Sequence, residues 1–210
     1  MRIYRPIKSN KINQYFGEAK VCVDSNGKVY NKVPFTNTGT CPLGTEDLYS
    51  TLNLIGHNGI DFNLYRGEAV YHSGDWDGIV KTEIDSNGGI GITITSETAQ
   101  LNGNRVRLRY WHLLKVAPDI YDGKKISVGT LIGYGDSTGL SSGDHLHFDL
   151  KEVSETGTTL NKANGYLGAI DPLPYLENKF IVDVFDELQA QILTLSQLVA
   201  KFIAQFKGHI

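Results

Sequence analysis

Two cysteines and one methionine in a chain of 210 residues leave too few sulfur atoms for a thiolate metal cluster. Cys22 and Cys41 do not form the Cys-x-x-Cys pair of a redox or zinc site. They either bridge, closing a loop of about 20 residues worth roughly 3 kcal/mol by chain entropy, or stay as two thiols. An excess of one charge is missing too. The 20 basic and 23 acidic residues give a formal net charge of −3, and Lys124-Lys125 is too short for a basic patch, so nucleic acid is excluded as a partner. No stretch approaches the ~18 to 20 apolar residues of a membrane span. Met1-Arg2-Ile3-Tyr4-Arg5-Pro6 is charged without the apolar run of a secretory signal, so no signal peptide is expected. There is no His-Glu-x-x-His helix motif. Gly88-Gly89 and Gly133-Tyr134-Gly135 precede no Lys-Ser/Thr and read as turns, not phosphate cradles. Asp75 and Asp77 flank Trp76 without the spacing of a calcium loop.

What the chain has in abundance is glycine, 23 residues with 40% apolar content. The glycines cluster between short alternating segments, which predicts a mainly β, turn-rich antiparallel fold with a packed core. Ile12 to Phe16 reads as a first strand; core strands follow near 59–63, 69–71, 78–84, 91–96, 105–113, 130–135 and 145–151. Turn chemistry separates them at Ser86-Asn87-Gly88-Gly89, Asn102-Gly103-Asn104, Asp122-Gly123 and Ser141-Ser142-Gly143. Asn102-Gly103 between alternating runs is a hairpin signal. Glu18 to Ser50, rich in Gly, Asn, Ser and Thr, reads as an insertion.

Of six histidines, four (His57, His112, His145 and His147) sit in strongly patterned segments and carry the chemistry. In His57-Asn58-Gly59-Ile60-Asp61 and His145-Leu146-His147, side chains two or four apart on a strand share a face. Two imidazoles and a carboxylate are a natural Zn²⁺ ligand set, and three protein ligands leave the fourth tetrahedral position open for water. Alternation over Leu108 to Leu113 would put Tyr110 beside His112, lining a cleft or packed in the core. Asp144 and Asp149 either support an imidazole or lie on the surface. His72 reads as a strand-end surface residue and His209 as terminal.

The ordered series Gly56-His57-Asn58-Gly59-Ile60-Asp61-Phe62, Gly67-Glu68-Ala69-Val70, Gly78-Ile79-Val80, Gly88-Gly89-Ile90-Gly91, Tyr110-Trp111-His112-Leu113, Val128 to Gly135, Ser137-Thr138-Gly139 and Asp144 to Phe148 resembles the lysostaphin-type zinc endopeptidases, which cut peptide bonds in bacterial peptidoglycan. Ile12 to Gly17 and Ile170-Asp171-Pro172 resemble that family's edges. The resemblance implies the lysostaphin-type antiparallel fold over residues 1–176, with the insertion at 18–50. It puts metal ligands at His57, Asp61 and His147, and catalytic histidines at His112 and His145. Zn²⁺ with one carboxylate ligand lowers the pKa of water toward ~7, and a neutral imidazole with a pKa near ~6.5 suits the role of base.

The expected substrate is a peptidoglycan cross-bridge or stem peptide. An export signal being unexpected, the protein would reach the cell wall in a phage particle or through lysis. Competing readings are a virion-associated structural or binding module that keeps the fold, and a zinc carboxypeptidase trimming D-Ala.

Residues 177–210 read as a separate amphipathic tail. Ile181, Phe185, Leu188, Ile192, Leu195, Val199, Phe202 and Phe206 are spaced alternately four and three apart, with no charge between Leu188 and Ala200. That is a helix with a coiled-coil seam. Its apolar stripe needs cover, from a second copy, a virion protein, the chain's own sheet or a membrane surface.

Overall fold

The computed structural model describes residues 1–18, 21–26, 28–32 and 41–207. His209, the side chain of Phe206 and residues 19, 20, 27 and 33–40 of the insertion lie outside that description. Strands β1 (Ile3–Arg5) and β2 (Ile12–Gln14) precede the insertion, which contributes β3 (Val21–Val23), β4 (Val29–Lys32), β5 (Glu46–Asp47) and the one-turn helix α1 (Leu48–Thr51). There follow β6 (Ile60–Asn63), β7 (Ala69–Tyr71), β8 (Gly78–Ile84), β9 (Ile90–Ser96), β10 (Arg105–Trp111), β11 (Leu113–Val116), β12 (Lys125–Ile126), β13 (Leu131–Gly135) and β14 (His145–Val153). The chain ends with β15 (Ala169–Ile170), β16 (Leu176–Phe180) and the long helix α2 (Ile181–Lys207).

One large antiparallel sheet runs in the order β12-β8-β9-β10-β14-β6-β2, with β15 added on β14. A smaller sheet, β11-β13-β7, shares its core. The two faces of the large sheet follow strand parity: Ile60, Phe62, Leu108, Tyr110, Leu146 and Phe148 are fully buried in the core. The residues between them, including Asp61, Arg109, Trp111, His147 and Asp149, point to the other face. Cross-strand pairs Tyr110–Phe148 and Trp111–His147 set that register. The Asn102-Gly103 hairpin forms as expected: both residues have positive φ, 50° and 76°, which a type I′ turn demands.

Two readings of the strands need correction. The segment 105–113 is not one strand, because His112 takes φ +66° and turns the chain out of β10 into β11 of the smaller sheet. Tyr110 therefore does not share a face with His112; it packs in the core, 5.2 Å from the ring of Phe148. His72 is not a surface residue either. It is wholly buried, its Nε2–H donating to Trp76 O at 2.9 Å while Nδ1 lies 3.3 Å from the Tyr110 hydroxyl. Burial pushes its pKa down to about 4.

The insertion builds a small unit of its own. Its strands pair in the order β4-β3-β5, Asp47 caps α1 by accepting a hydrogen bond from the Tyr49 amide, and Val21, Val23, Tyr49 and Leu54 make a separate apolar cluster. Cys22 and Cys41 are joined in a disulfide that closes this unit.

Near the C-terminus, β16 pairs in parallel with β1 before α2 begins. Phe180 and Ile181 are buried, and Phe185 packs so closely on Gly129 that a Cβ there would lie 2.0 Å from its ring. This first stretch of α2 docks on the body. Leu188, Ile192, Leu195, Leu198 and Val199 are about half exposed or more. Among the described residues no helix is long and apolar enough to cross a membrane.

Candidate metal centre and cleft

Asp61 on β6 stands directly across from His147 on β14, so one register places a carboxylate beside an imidazole. His57 joins them from outside the sheet. It lies in the loop before β6, which corrects the reading of 57–61 as a strand, and it is held there by backbone bonds: Gly17 N to His57 O and His57 N to Glu18 O, both 2.8 Å. Gly59 lets the loop pass beneath the site. A Cβ there would lie 2.6 Å from Phe148 O and 2.8 Å from the His147 ring.

His57 Nε2, His147 Nδ1 and Asp61 Oδ1 face one another at 3.0 and 3.1 Å. Tetrahedral zinc with ligand bonds of ~2.0–2.1 Å separates its ligand atoms by about 3.3–3.4 Å, so the donor set fits such an ion in both chemistry and size. Among the described residues this is the group that brings three metal-ligating side chains together, all buried.

The outer nitrogens of the histidines decide which atom faces the centre. His57 Nδ1–H donates to Tyr15 O at 3.1 Å, leaving Nε2 inward. In His147 the order is reversed: Nδ1 faces inward, and Nε2 points at Asp149 Oδ2, 3.7 Å away. Asp149 is completely buried, and neither of its oxygens accepts a hydrogen bond among the described residues. Arg109 Nη1 lies 3.8 Å from it. Burial alone would raise the Asp149 pKa, but Lys151, His147 and Arg109 hold it below the usual carboxylate range. For His147 burial would lower the pKa, and the carboxylates of Asp149 and Asp61 outweigh it, leaving the pKa raised. Burial likewise works against the charge on Asp61, but His57, His147 and His145 keep it ionised, well below its ordinary range.

His112 and His145 stand beside this group, their rings 4.5 Å apart. His112 Nδ1–H donates to Thr138 O at 2.7 Å and His145 Nδ1–H to Gly143 O at 2.8 Å, so both neutral rings carry a free Nε2 lone pair. The His145 Nε2 is 3.7 Å from Asp61 Oδ2. Burial, and then the neighbouring His145, press the His112 pKa down to about 3. Asp144 does not hold either ring; a backbone carbonyl takes that place.

These side chains line a cleft of about 440 Å³. Its walls include residues that the histidine spacing did not single out: Arg109 stacked on Trp111 at 3.9 Å, and Tyr49, whose hydroxyl accepts a 2.5 Å bond from Gln14 Nε2. Strand parity carried a signal for the first two, since Arg109 and Trp111 alternate with the core residues Leu108 and Tyr110. Gly91 makes the stacking possible, because a Cβ there would sit 1.6 Å from the Trp111 ring.

Comparison with known proteins places this arrangement. A stretch of 100 residues is 36% identical to the peptidoglycan DD-endopeptidase ShyA of Vibrio cholerae, covering 48% of this chain and 21% of that protein. The chain thus spans about a fifth of that relative's length. The catalytic domain of lysostaphin from Staphylococcus simulans is 26% identical, with 65% of this chain and 86% of that one aligned at a TM-score of 0.43. Csd3 of Helicobacter pylori is 19% identical over 96% of this chain and 44% of that one, with a TM-score of 0.48. Residues 55–162, half of the chain and the stretch that contains His57, Asp61, His112, His145 and His147, match the sequence model of Peptidase family M23, and the protein belongs to that family.

Proposed function

We propose that the protein is a zinc-dependent endopeptidase that hydrolyses peptide bonds of bacterial peptidoglycan, with His57, Asp61 and His147 as metal ligands and His112 and His145 as catalytic residues. The observation that carries this reading is the split among the histidines. Two imidazole nitrogens and one carboxylate oxygen converge within about 3 Å, while two further rings, each with Nδ1 on a backbone carbonyl, line the same cleft.

Zinc, when bound, supplies a Lewis acid that polarises the scissile carbonyl and acidifies water. The chain's residues do the rest. His145 Nε2 accepts the proton of the attacking water, since its Nδ1–H is already committed to Gly143 O. His112 is kept neutral by burial; its Nε2 takes on the water's proton from His145, whose ring lies 4.5 Å away, and as an N–H then donates a hydrogen bond to the oxyanion. Asp149, 3.7 Å from His147 Nε2, holds the ring by charge and raises its basicity as a ligand.

The identity to a DD-endopeptidase supports an endopeptidase over a carboxypeptidase. Digestion of purified sacculi with mass analysis of the fragments tests the reading: new internal amino and carboxyl ends are expected, and release of D-Ala alone would support the carboxypeptidase instead. We further propose that residues 1–176 form the catalytic domain and that the tail, 177–210, pairs with a second copy. The support is the four-three apolar spacing, uninterrupted by charge from Leu188 to Ala200, on a helix stretch that the body leaves exposed.

A further inference from the structure

The cleft is lopsided. On one side stand Asp85 and Asn87 of the turn between β8 and β9, with Arg109 of β10; the lining also includes Val21, Val23, Leu48, Tyr49, Leu52 and Leu54. All six of the second group precede residue 55, where the family match begins. The unit that holds the disulfide, with the residues just after it, therefore supplies an apolar wall that precedes the matched part of the chain.

That wall is built, not incidental. Val21, Val23, Tyr49 and Leu54 pack together as their own cluster, and Tyr49 is tied to the core strand β2 by the Gln14 bond. The wall also reaches the metal group: the Tyr49 ring lies 5.9 Å from that of His57. Leu52, just past α1, lines the cleft while remaining 43% exposed, so among the described residues it presents uncovered apolar surface. A substrate backbone seated at the metal group has side-chain space on this flank.

We propose, building on the endopeptidase reading, that the insertion, together with residues 51–54 that follow it, is a specificity element: its wall binds an apolar side chain next to the scissile bond. The favoured substrate is then a peptide with a methyl or larger apolar side chain there, and bonds between glycines are poor substrates. Burying one methyl group is worth about a fourfold gain in affinity, and a whole leucine side chain roughly 10- to 100-fold.

Peptide hydroxamates fix the register, because the hydroxamate seats at the metal. Zinc-loaded protein would be titrated, by calorimetry, with three such peptides carrying Gly, Ala or Leu beside the hydroxamate. Affinity should rise from Gly to Ala to Leu in wild type. Leu52→Asn should cut the Leu-to-Gly ratio at least threefold with the Gly peptide unchanged, and Leu52→Met should restore it. Leu52 is partly exposed, so unchanged melting and zinc content will certify folded variants. Equal affinities in wild type, no binding by any of the three, or a ratio untouched in Leu52→Asn would overturn the proposal. Zinc analysis and sacculus digestion judge the endopeptidase reading separately.

Discussion

His57 Nε2 and His147 Nδ1 face each other across 3.0 Å, and each ring has its other nitrogen turned outward, to Tyr15 O and toward Asp149. With His57 Nδ1–H donated to a carbonyl, two lone pairs and a carboxylate oxygen point into one small space. Such a set is stable around a cation. The expected metal content is one zinc per chain, and His147→Ala or Asp61→Asn should abolish it in elemental analysis. Full zinc loading in both variants would remove the ligand assignment.

His112 and His145 turn Nδ1 to backbone carbonyls and stand beside that cluster, with His145 Nε2 3.7 Å from Asp61 Oδ2. His112→Ala and His145→Ala should retain zinc while the hydrolysis rate falls by ~10² or more, the scale of general acid–base catalysis. Loss of metal in either variant would make that residue a ligand instead.

Asp149 is an isolated buried carboxylate whose neighbours are His147 and Arg109. Asp149→Asn keeps the shape and removes the charge. Zinc affinity, measured by competition with a chromophoric chelator, should weaken 10- to 100-fold. An unchanged affinity would show that the carboxylate serves Arg109 alone.

His72 makes stability depend on acid. Its folded pKa is about 4 against an ordinary 6.5, so below 6.5 the unfolded chain takes up a proton that the native state refuses. The stability it contributes is complete above 6.5 and lost as pH falls through 4, in total about 3 kcal/mol. His72→Gln, which keeps a donor for Trp76 O, should flatten the decline of melting temperature between pH 6.5 and 4. Parallel declines in the two proteins would refute this origin.

Residues 188–207 of α2 lie beyond the docking contact of Phe185 with Gly129. Deleting them with the last three residues should leave peptidase activity intact and, by light scattering, convert a dimer or larger species to a monomer. A full-length protein that is monomeric at tens of micromolar would end the self-association proposal.

Local physics made much of this protein legible as a sequence. Alternation marked β8, β9 and β14, because a half-buried strand must alternate; Asn102-Gly103 marked its turn, because only such residues take two positive φ values cheaply; and the four-three spacing marked α2 as a helix. The concentration of His57, Asp61, His145 and His147 in ordered motifs marked the site. Tertiary structure decided what depends on contacts far apart in the chain. His57 reaches His147, 90 residues away, from a loop and not a strand; the outward partners Tyr15 O, Thr138 O and Gly143 O choose which nitrogen each ring turns inward. Tyr110 is buried in the core that the two sheets share, His72 is buried between Tyr110 and Trp76, and the insertion becomes a cleft wall because its own small core docks it beside Gln14. Periodicity tells a residue's face, but what stands opposite that face is settled only when distant segments pack.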